Sequence, residues 1–123
     1  ALEFSKKAYK IESQDPLVID YHAQILNSNN KTEEAINLWK QILSSTIDDI
    51  AYGDFGEGLS WAKSLVNDVN YKIGLSYFQM NDLRSAHEYL KKHLEMRKRG
   101  IYSLYSKKNV EKKLKEIEKD KEL

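Results

Sequence analysis

Residues 70–90 read NYKIGLSYFQMNDLRSAHEYL, and their spacing decides the fold. Ile73, Tyr77 and Met80 fall four and three residues apart, and the same steps run back through Val69, Val66, Ala62 and Leu59. This is the period of a single apolar stripe on an α-helix, not the alternation of a strand. It predicts one helix over residues 57–80, about 36 Å long at 1.5 Å per residue. A turn follows at Asn81-Asp82, where the Asp82 carboxylate is suited to cap a second helix running to about Arg99, with Gly100 as its terminator. Helices joined by so few residues pack antiparallel, as a hairpin over 57–99.

The same plan recurs upstream. Pro16 suits a first helical turn, and Val18 or Ile19, then His22, Ala23 and Leu26 follow at helical spacing. The turn NSNN comes next, at residues 27–30; Asn30 with Glu33 then has the form of a capping box for a helix whose stripe is Ala35, Leu38, Trp39 and Ile42. IDYHAQIL (19–26) and NYKIGLSY (70–77) thus occupy equivalent places in two hairpins, 16–45 and 57–99. Each is followed by an alanine, Ala35 or Ala86, and four residues later by a bulky side chain, Trp39 or Leu90. Ala23 and Gly74 lie twelve residues before those alanines, so both hairpins place small residues where two helices approach and bulky ones where the space between must be filled.

These residues resemble the tetratricopeptide repeat, with Ile73-Gly74, Tyr77, Ala86 and Leu90 in the second copy and Ala23, Leu26, Ala35 and Trp39 in the first. Ala1 and Ala8 precede Ala35 and Ile42 by 34 residues, the family's period, which makes residues 1–13 a half-repeat and the chain a fragment of a longer array. The resemblance implies an all-α, right-handed solenoid of stacked antiparallel hairpins, with about five helices here. Ala23 and Gly74 are 51 residues apart, one period and half of another, so residues 46–58 form an inserted connector and the first helix of the second hairpin is extended backwards. Residues 106–120 are a last, basic helix with Ser106 as cap and a stripe of Val110, Leu114 and Ile117.

The family implies protein recognition on a concave face lined by the first helix of each hairpin. Carried over by position, that face holds Asp20, Tyr21, Gln24 and Asn27 from one copy and Lys72, Leu75, Phe78 and Gln79 from the other. Family members that clamp carboxylates use lysine, asparagine and arginine at such places. Asp20, Gln24 and Leu75 depart from that set, and Tyr21, Leu75 and Phe78 suit a peptide with apolar anchors. A protein or peptide partner is therefore expected, with a homodimer through the exposed half-repeat as a further possibility.

Composition narrows the chemistry. The 123 residues contain no cysteine, which excludes disulfides, thiolate metal sites and cysteine nucleophiles. No apolar run reaches the ~20 residues that span a bilayer, and the first ten residues lack a signal-peptide pattern, so a cytoplasmic setting is expected. The three histidines make no i, i+4 pair, and His22 and His93 fall on packing positions of the repeat. The glycines of GDFGEG (53–58) open a helix, but no strand precedes them, no Gly-Lys-Ser/Thr follows, and Asp54 and Glu57 would repel a phosphate. Asp48, Asp49, Asp54 and Glu57 lack the alternating acids of a calcium loop. The expectation is a connector joint, no cofactor, no metal and no enzyme.

Charge leaves a second reading open. Residues 1–83 hold 7 Lys and Arg against 12 Asp and Glu, and residues 84–123 hold 13 against 7. Arg97, Lys98, Arg99, Lys107 and Lys108 flank Tyr102 and Tyr105, a pattern that would also serve a polyanion or nucleic acid. Lys107 and Lys108 stand in a first helical turn, where positive charge is unfavourable, so helix stability does not account for them.

Overall fold

A computed structural model describes residues 2–11 and 14–121, excepting the side chains of 8–11 and 121. Every regular element among the described residues is helical: α1 (Leu2–Ile11), α2 (Pro16–Ser28), α3 (Thr32–Leu43), α4 (Ile47–Tyr52), α5 (Leu59–Gln79), α6 (Leu83–Lys98) and α7 (Lys107–Lys121). The all-α expectation holds, with seven helices rather than five. Of the half-repeat, Ala1, Glu12 and Ser13 lie outside the described residues, as does the Ala8 side chain. The chain divides into two compact units, residues 1–62 and 63–123, with the first turn of α5 in the former and the rest of α5 in the latter.

In the first unit α2 packs against α1 and α3. Pro16 opens α2, and Asp15 caps it by accepting from the Leu17 amide at 3.0 Å. Ala23 and Ala35 are fully buried, and around them Ile19, Leu26, Ile36, Trp39 and Ile42 close the core. The α2–α3 turn differs from the expected capping box. Asn30 does not cap α3: it sits at φ 65° and terminates α2. The Lys31 amide donates to Leu26 O at 2.9 Å and the Asn30 amide to Asn27 O at 3.1 Å, the paired bonds of a Schellman turn. Asparagine serves there because its short polar side chain tolerates the left-handed conformation.

The α5–α6 turn is built identically. Asn81 has φ 63°, the Asp82 amide donates to Tyr77 O at 2.9 Å, and the Asn81 amide donates to Phe78 O at 3.0 Å. Asn30 and Asn81 are separated by the same 51 residues as Ala23 and Gly74. Asp82 caps α6 as expected, accepting from the Ser85 amide at 3.2 Å. In the second unit Gly74 faces Leu90; a Cβ at Gly74 would stand 2.8 Å from Leu90 Cδ2 and 2.9 Å from its Cγ. The stripe Val110, Leu114 and Ile117 brings α7 onto the core of Leu83, Ala86, Leu90 and Leu94. Gly100, at φ 85°, ends α6, and Ser106 Oγ accepts from the Asn109 amide at 3.3 Å at the start of α7.

The 46–58 connector is more ordered than a joint. Thr46 caps the short helix α4 by accepting from the Asp49 amide at 3.0 Å. The chain then folds back: the Gly56 amide donates to Gly53 O and the Gly58 amide to Ala51 O, each at 3.0 Å. A Cβ on Gly56 would fall 2.1 Å from Ala51 O, so glycine is required there by backbone approach. Ala62 is fully buried, whereas Leu59, at the start of the same apolar stripe, is exposed.

Candidate binding surfaces

On the first unit, the four positions carried over from the repeat separate into two kinds. Asp20 is 8% exposed, and its Oδ1 accepts from Trp39 Nε1 at 2.8 Å. It therefore ties α2 to α3, because an indole N–H buried beside an aliphatic core needs an acceptor. Asn27 Oδ1 accepts from Thr32 Oγ1 at 2.8 Å, another α2–α3 link. Tyr21 and Gln24 stay open to solvent. Tyr21 is 41% exposed and lies edge-on to Phe4 of α1, 68% exposed, with ring centroids 6.4 Å apart. Leu17, one turn before Tyr21, is also exposed. The open face of this unit thus consists of Phe4, Leu17, Tyr21 and Gln24. Phe4 escaped the sequence reading because the buried residue of its helical turn is a serine, which leaves no apolar stripe to mark inside from outside.

Ser5 is that buried residue. Its hydroxyl donates to Leu2 O at 2.9 Å and stands 2.8 Å from His22 Nδ1. A hydroxyl carries one hydrogen, so His22 is assigned as the Nδ1–H tautomer, donating to Ser5 Oγ. Burial holds the His22 pKa below its ordinary value, assisted by the Lys6 charge and opposed by Glu34.

On the second unit Lys72, Leu75 and Phe78 are each half-buried, and Gln79 is exposed. Phe78 packs against the α6–α7 core, and Lys113 Nζ lies 4.3 Å from its ring centroid. Its ring is partly covered by α7 and is a weaker candidate for contact than Tyr21.

The basic residues also separate. Lys98 and Lys107, with Lys91 and Lys115, rim a groove of about 230 Å³ between α6 and α7; its floor is Leu94 and Leu114, and Glu95, Glu111 and Glu118 share the rim. None of the four lysines has an ion pair among the described residues, while Glu118 Oε2 lies 3.0 Å from His87 Nε2. Arg97 is turned inward, where Nη1 donates to Tyr105 O at 2.6 Å. Arg99 and Lys108 are exposed.

The inward Arg97 belongs to a polar cluster that fixes the α6–α7 connector. The buried Asp68 accepts from Ser103 Oγ at 2.5 Å through Oδ1 and from the Leu104 amide at 3.1 Å through Oδ2. Ser103 Oγ accepts in turn from the Tyr105 amide at 3.0 Å. The Tyr105 ring lies 4.2 Å from Tyr71, and Tyr71 lies 5.4 Å from His93. His93 is fully buried, and its Nδ1 is 2.8 Å from Asn67 O. A carbonyl can only accept, so Nδ1 carries the hydrogen and Nε2 is bare. Among the described residues, the buried Nε2 and both polar atoms of the buried Asn67 side chain have no hydrogen-bond partner.

This arrangement dictates a pH response. Burial lowers the His93 pKa first of all, with Arg97 acting the same way and the Asn67 carbonyl and Asp68 opposing. The unfolded chain then binds the proton more readily than the folded one. Stability is complete above the ordinary histidine pKa of about 6.5 and falls as the pH drops below it, towards the folded pKa. Thermal unfolding at pH 5.5 and 7.5 checks this: the wild type loses melting temperature at the lower pH, and His93→Gln, which keeps an amide donor but cannot be protonated, loses less. An equal loss in both proteins would remove His93 from the explanation.

Among the described residues, no group of three or more His, Asp or Glu side chains is placed to hold a metal ion, and no helix is long and apolar enough to cross a membrane. Comparison of the chain with protein-family models, with curated proteins and with solved structures finds no match.

Proposed function

We propose that the chain is a non-catalytic recognition module whose two hairpins are tetratricopeptide-type repeats of a solenoid, and that it binds a protein or peptide segment on the open faces of its first helices. One observation carries the reading: two hairpins share a packing register at a constant offset of 51 residues. Ala23 and Gly74, Ala35 and Ala86, Trp39 and Leu90, and Ile42 and His93 are buried in pairs, and Asn30 and Asn81 make the same turn. Paired positions of that kind are the signature of repeated units whose conserved role is packing, which leaves the outer positions free to specify a partner.

Leu17 and Tyr21 of the first helix α2 supply apolar contact area on the first unit, Phe4 of the neighbouring α1 extends it, and Gln24 supplies a hydrogen-bonding group beside it. Aromatic anchors with a polar margin are the usual carriers of binding energy in protein recognition. Crosslinking and affinity capture with the wild type and with Phe4→Ala/Tyr21→Ala tests the proposal. The expected result is loss of a specific protein partner, with the melting temperature unchanged because both rings are exposed. Retention of that partner would sink the assignment of this face. The four lysines of the α6–α7 groove, which have no ion pair among the described residues, favour a second reading, a polyanion site. It requires log affinity to fall linearly with log salt, and to fall further in Lys98→Glu/Lys107→Glu.

A further inference from the structure

The connector between α6 and α7 has a feature that neither reading uses. Over residues 102–105 its side chains alternate: Tyr102 is 67% exposed, Ser103 is buried, Leu104 is 79% exposed and Tyr105 is half-buried. The inward members are fastened, Ser103 to Asp68 and Tyr105 to Tyr71 and to Arg97. The Leu104 backbone is fastened as well, by its amide to Asp68. The chain bends at Leu104 and Tyr105, and with Ser103 and Tyr105 fixed inward the side chains of Tyr102 and Leu104 are left on the solvent side. A tyrosine and a leucine are therefore held in water on a braced tip, with the ordering already complete before any partner arrives.

Cations flank the tip on both sides, beside a groove whose rim also carries Glu95, Glu111 and Glu118. Lys98 and Arg99 precede it, Lys107 and Lys108 follow it, and Lys98 and Lys107 meet at the rim of one groove, so the two flanks stand together in space. Residues 63–123 hold 15 Lys and Arg against 9 Asp and Glu.

We propose that this tip docks on an anionic lipid surface, with Leu104 and Tyr102 entering the headgroup boundary and Lys98, Arg99, Lys107 and Lys108 facing the lipid phosphates and carboxylates. Charge complementarity selects an anionic occupant, and each cation near an anionic leaflet adds to the attraction. The apolar crown selects a bilayer among anionic occupants. Leucine has no π-face for a base to stack on, so nucleic acid gains nothing from the most exposed large apolar side chain of the tip. Tyrosine, with an apolar ring and a polar hydroxyl, suits the depth at which headgroups meet acyl chains. One apolar residue gives marginal anchoring, so the attachment is reversible and needs both parts, cations and crown.

The test uses the full chain with vesicles of phosphatidylcholine alone and vesicles containing about 30 mol % phosphatidylserine, at a salt concentration of about 0.1 M. The wild type cosediments with the anionic vesicles and not with the neutral ones. Tyr102→Ser/Leu104→Ser weakens the partition about fivefold to tenfold, and Lys98→Glu/Lys107→Glu weakens it at least as much. A Leu104→Trp variant shows added fluorescence that shifts to the blue on anionic vesicles and is quenched by brominated acyl chains. Because both crown residues are exposed, far-ultraviolet circular dichroism and melting temperature are expected to match the wild type, which separates lost binding from lost folding. No cosedimentation of the wild type overturns the proposal. So does cosedimentation that the double serine variant leaves unchanged, which would leave charge alone, and so does an oligonucleotide that binds more tightly than the vesicles and displaces the protein from them.

Discussion

Gly74→Val is expected to lower the unfolding free energy by about 3 kcal/mol, the upper range for overpacking a close helix contact. A single Cβ at this position meets Leu90 at 2.8 Å and 2.9 Å in its side chain and at 3.3 Å in its backbone nitrogen. The first two contacts involve Cδ2 and Cγ of a fully buried leucine, and close-packed interiors leave such a side chain little room to move. The third is backbone, so relief requires α5 and α6 to separate. Valine adds two more carbons and a stiff χ1 to that collision. Gly74→Ala is expected to be much milder, about 1 kcal/mol or less, since the gain in helix propensity of roughly 1 kcal/mol offsets part of the strain. Urea titration of the three proteins measures the series. A valine variant as stable as the wild type would show that α5 and α6 do not approach at Gly74, and the repeat assignment would lose its packing basis.

Asp68→Ala is expected to be comparably damaging, by about 3 kcal/mol, through the loss of two hydrogen bonds to a charged acceptor. The Ser103 hydroxyl and the Leu104 amide lose their acceptor together, and the Ser103 group is buried. The loss reaches further than the two bonds, because the same segment positions Tyr105 against Tyr71 and leads into α7. Hydrogen exchange resolves the effect locally. In the variant the Leu104 amide exchanges faster by orders of magnitude, and amides of α7 lose protection with it. Asp68→Asn keeps one acceptor oxygen and should fall between the two. If the Leu104 amide exchanges at the same rate with and without the carboxylate, Asp68 is not what holds the connector. The vesicle experiment is coupled to this result, since a tip that is no longer braced presents Tyr102 and Leu104 at an entropic disadvantage.

Much of the local structure was legible because it follows from period and caps. The stripe from Leu59 through Met80 specified α5 to within two residues at either end, and Asp82 and Gly100 specified the limits of α6. Pairing Ala23 with Gly74 and Trp39 with Leu90 picked out residues that are each buried within their own unit. The misassigned capping box has a definite cause. Asparagine is suited both to an N-cap and to the left-handed end of the preceding helix, and local sequence does not choose between them; the choice at Asn30 follows from the amide of Lys31 reaching back to Leu26.

The binding surfaces were less legible because exposure is a property of neighbours distant in the chain. Asp20 reads as an outward polar residue until Trp39, nineteen residues on, supplies a buried donor for it. Phe78 reads as an open aromatic anchor until Lys113 is folded over its ring. Arg97 reads as one cation of a run until it is found bonded to Tyr105 O, and Asp68 attracted no attention at all, since nothing around residue 68 announces a loop thirty-five residues away.

By itself the sequence determined an all-helical chain, the places where its helices turn, the positions at which small residues admit a close neighbour, and the separation of acidic from basic halves. These are encoded within a few residues of one another, where backbone geometry and side-chain spacing act directly. The tertiary structure decided which polar groups are consumed by packing and which remain for a partner. A buried hydroxyl, indole or amide must find its acceptor wherever the fold brings one. That requirement commits Asp20 and Asp68 to the interior, engages the half-buried Asn27 and Arg97 in bonds between elements, and leaves Phe4, Tyr21, Tyr102 and Leu104 facing water.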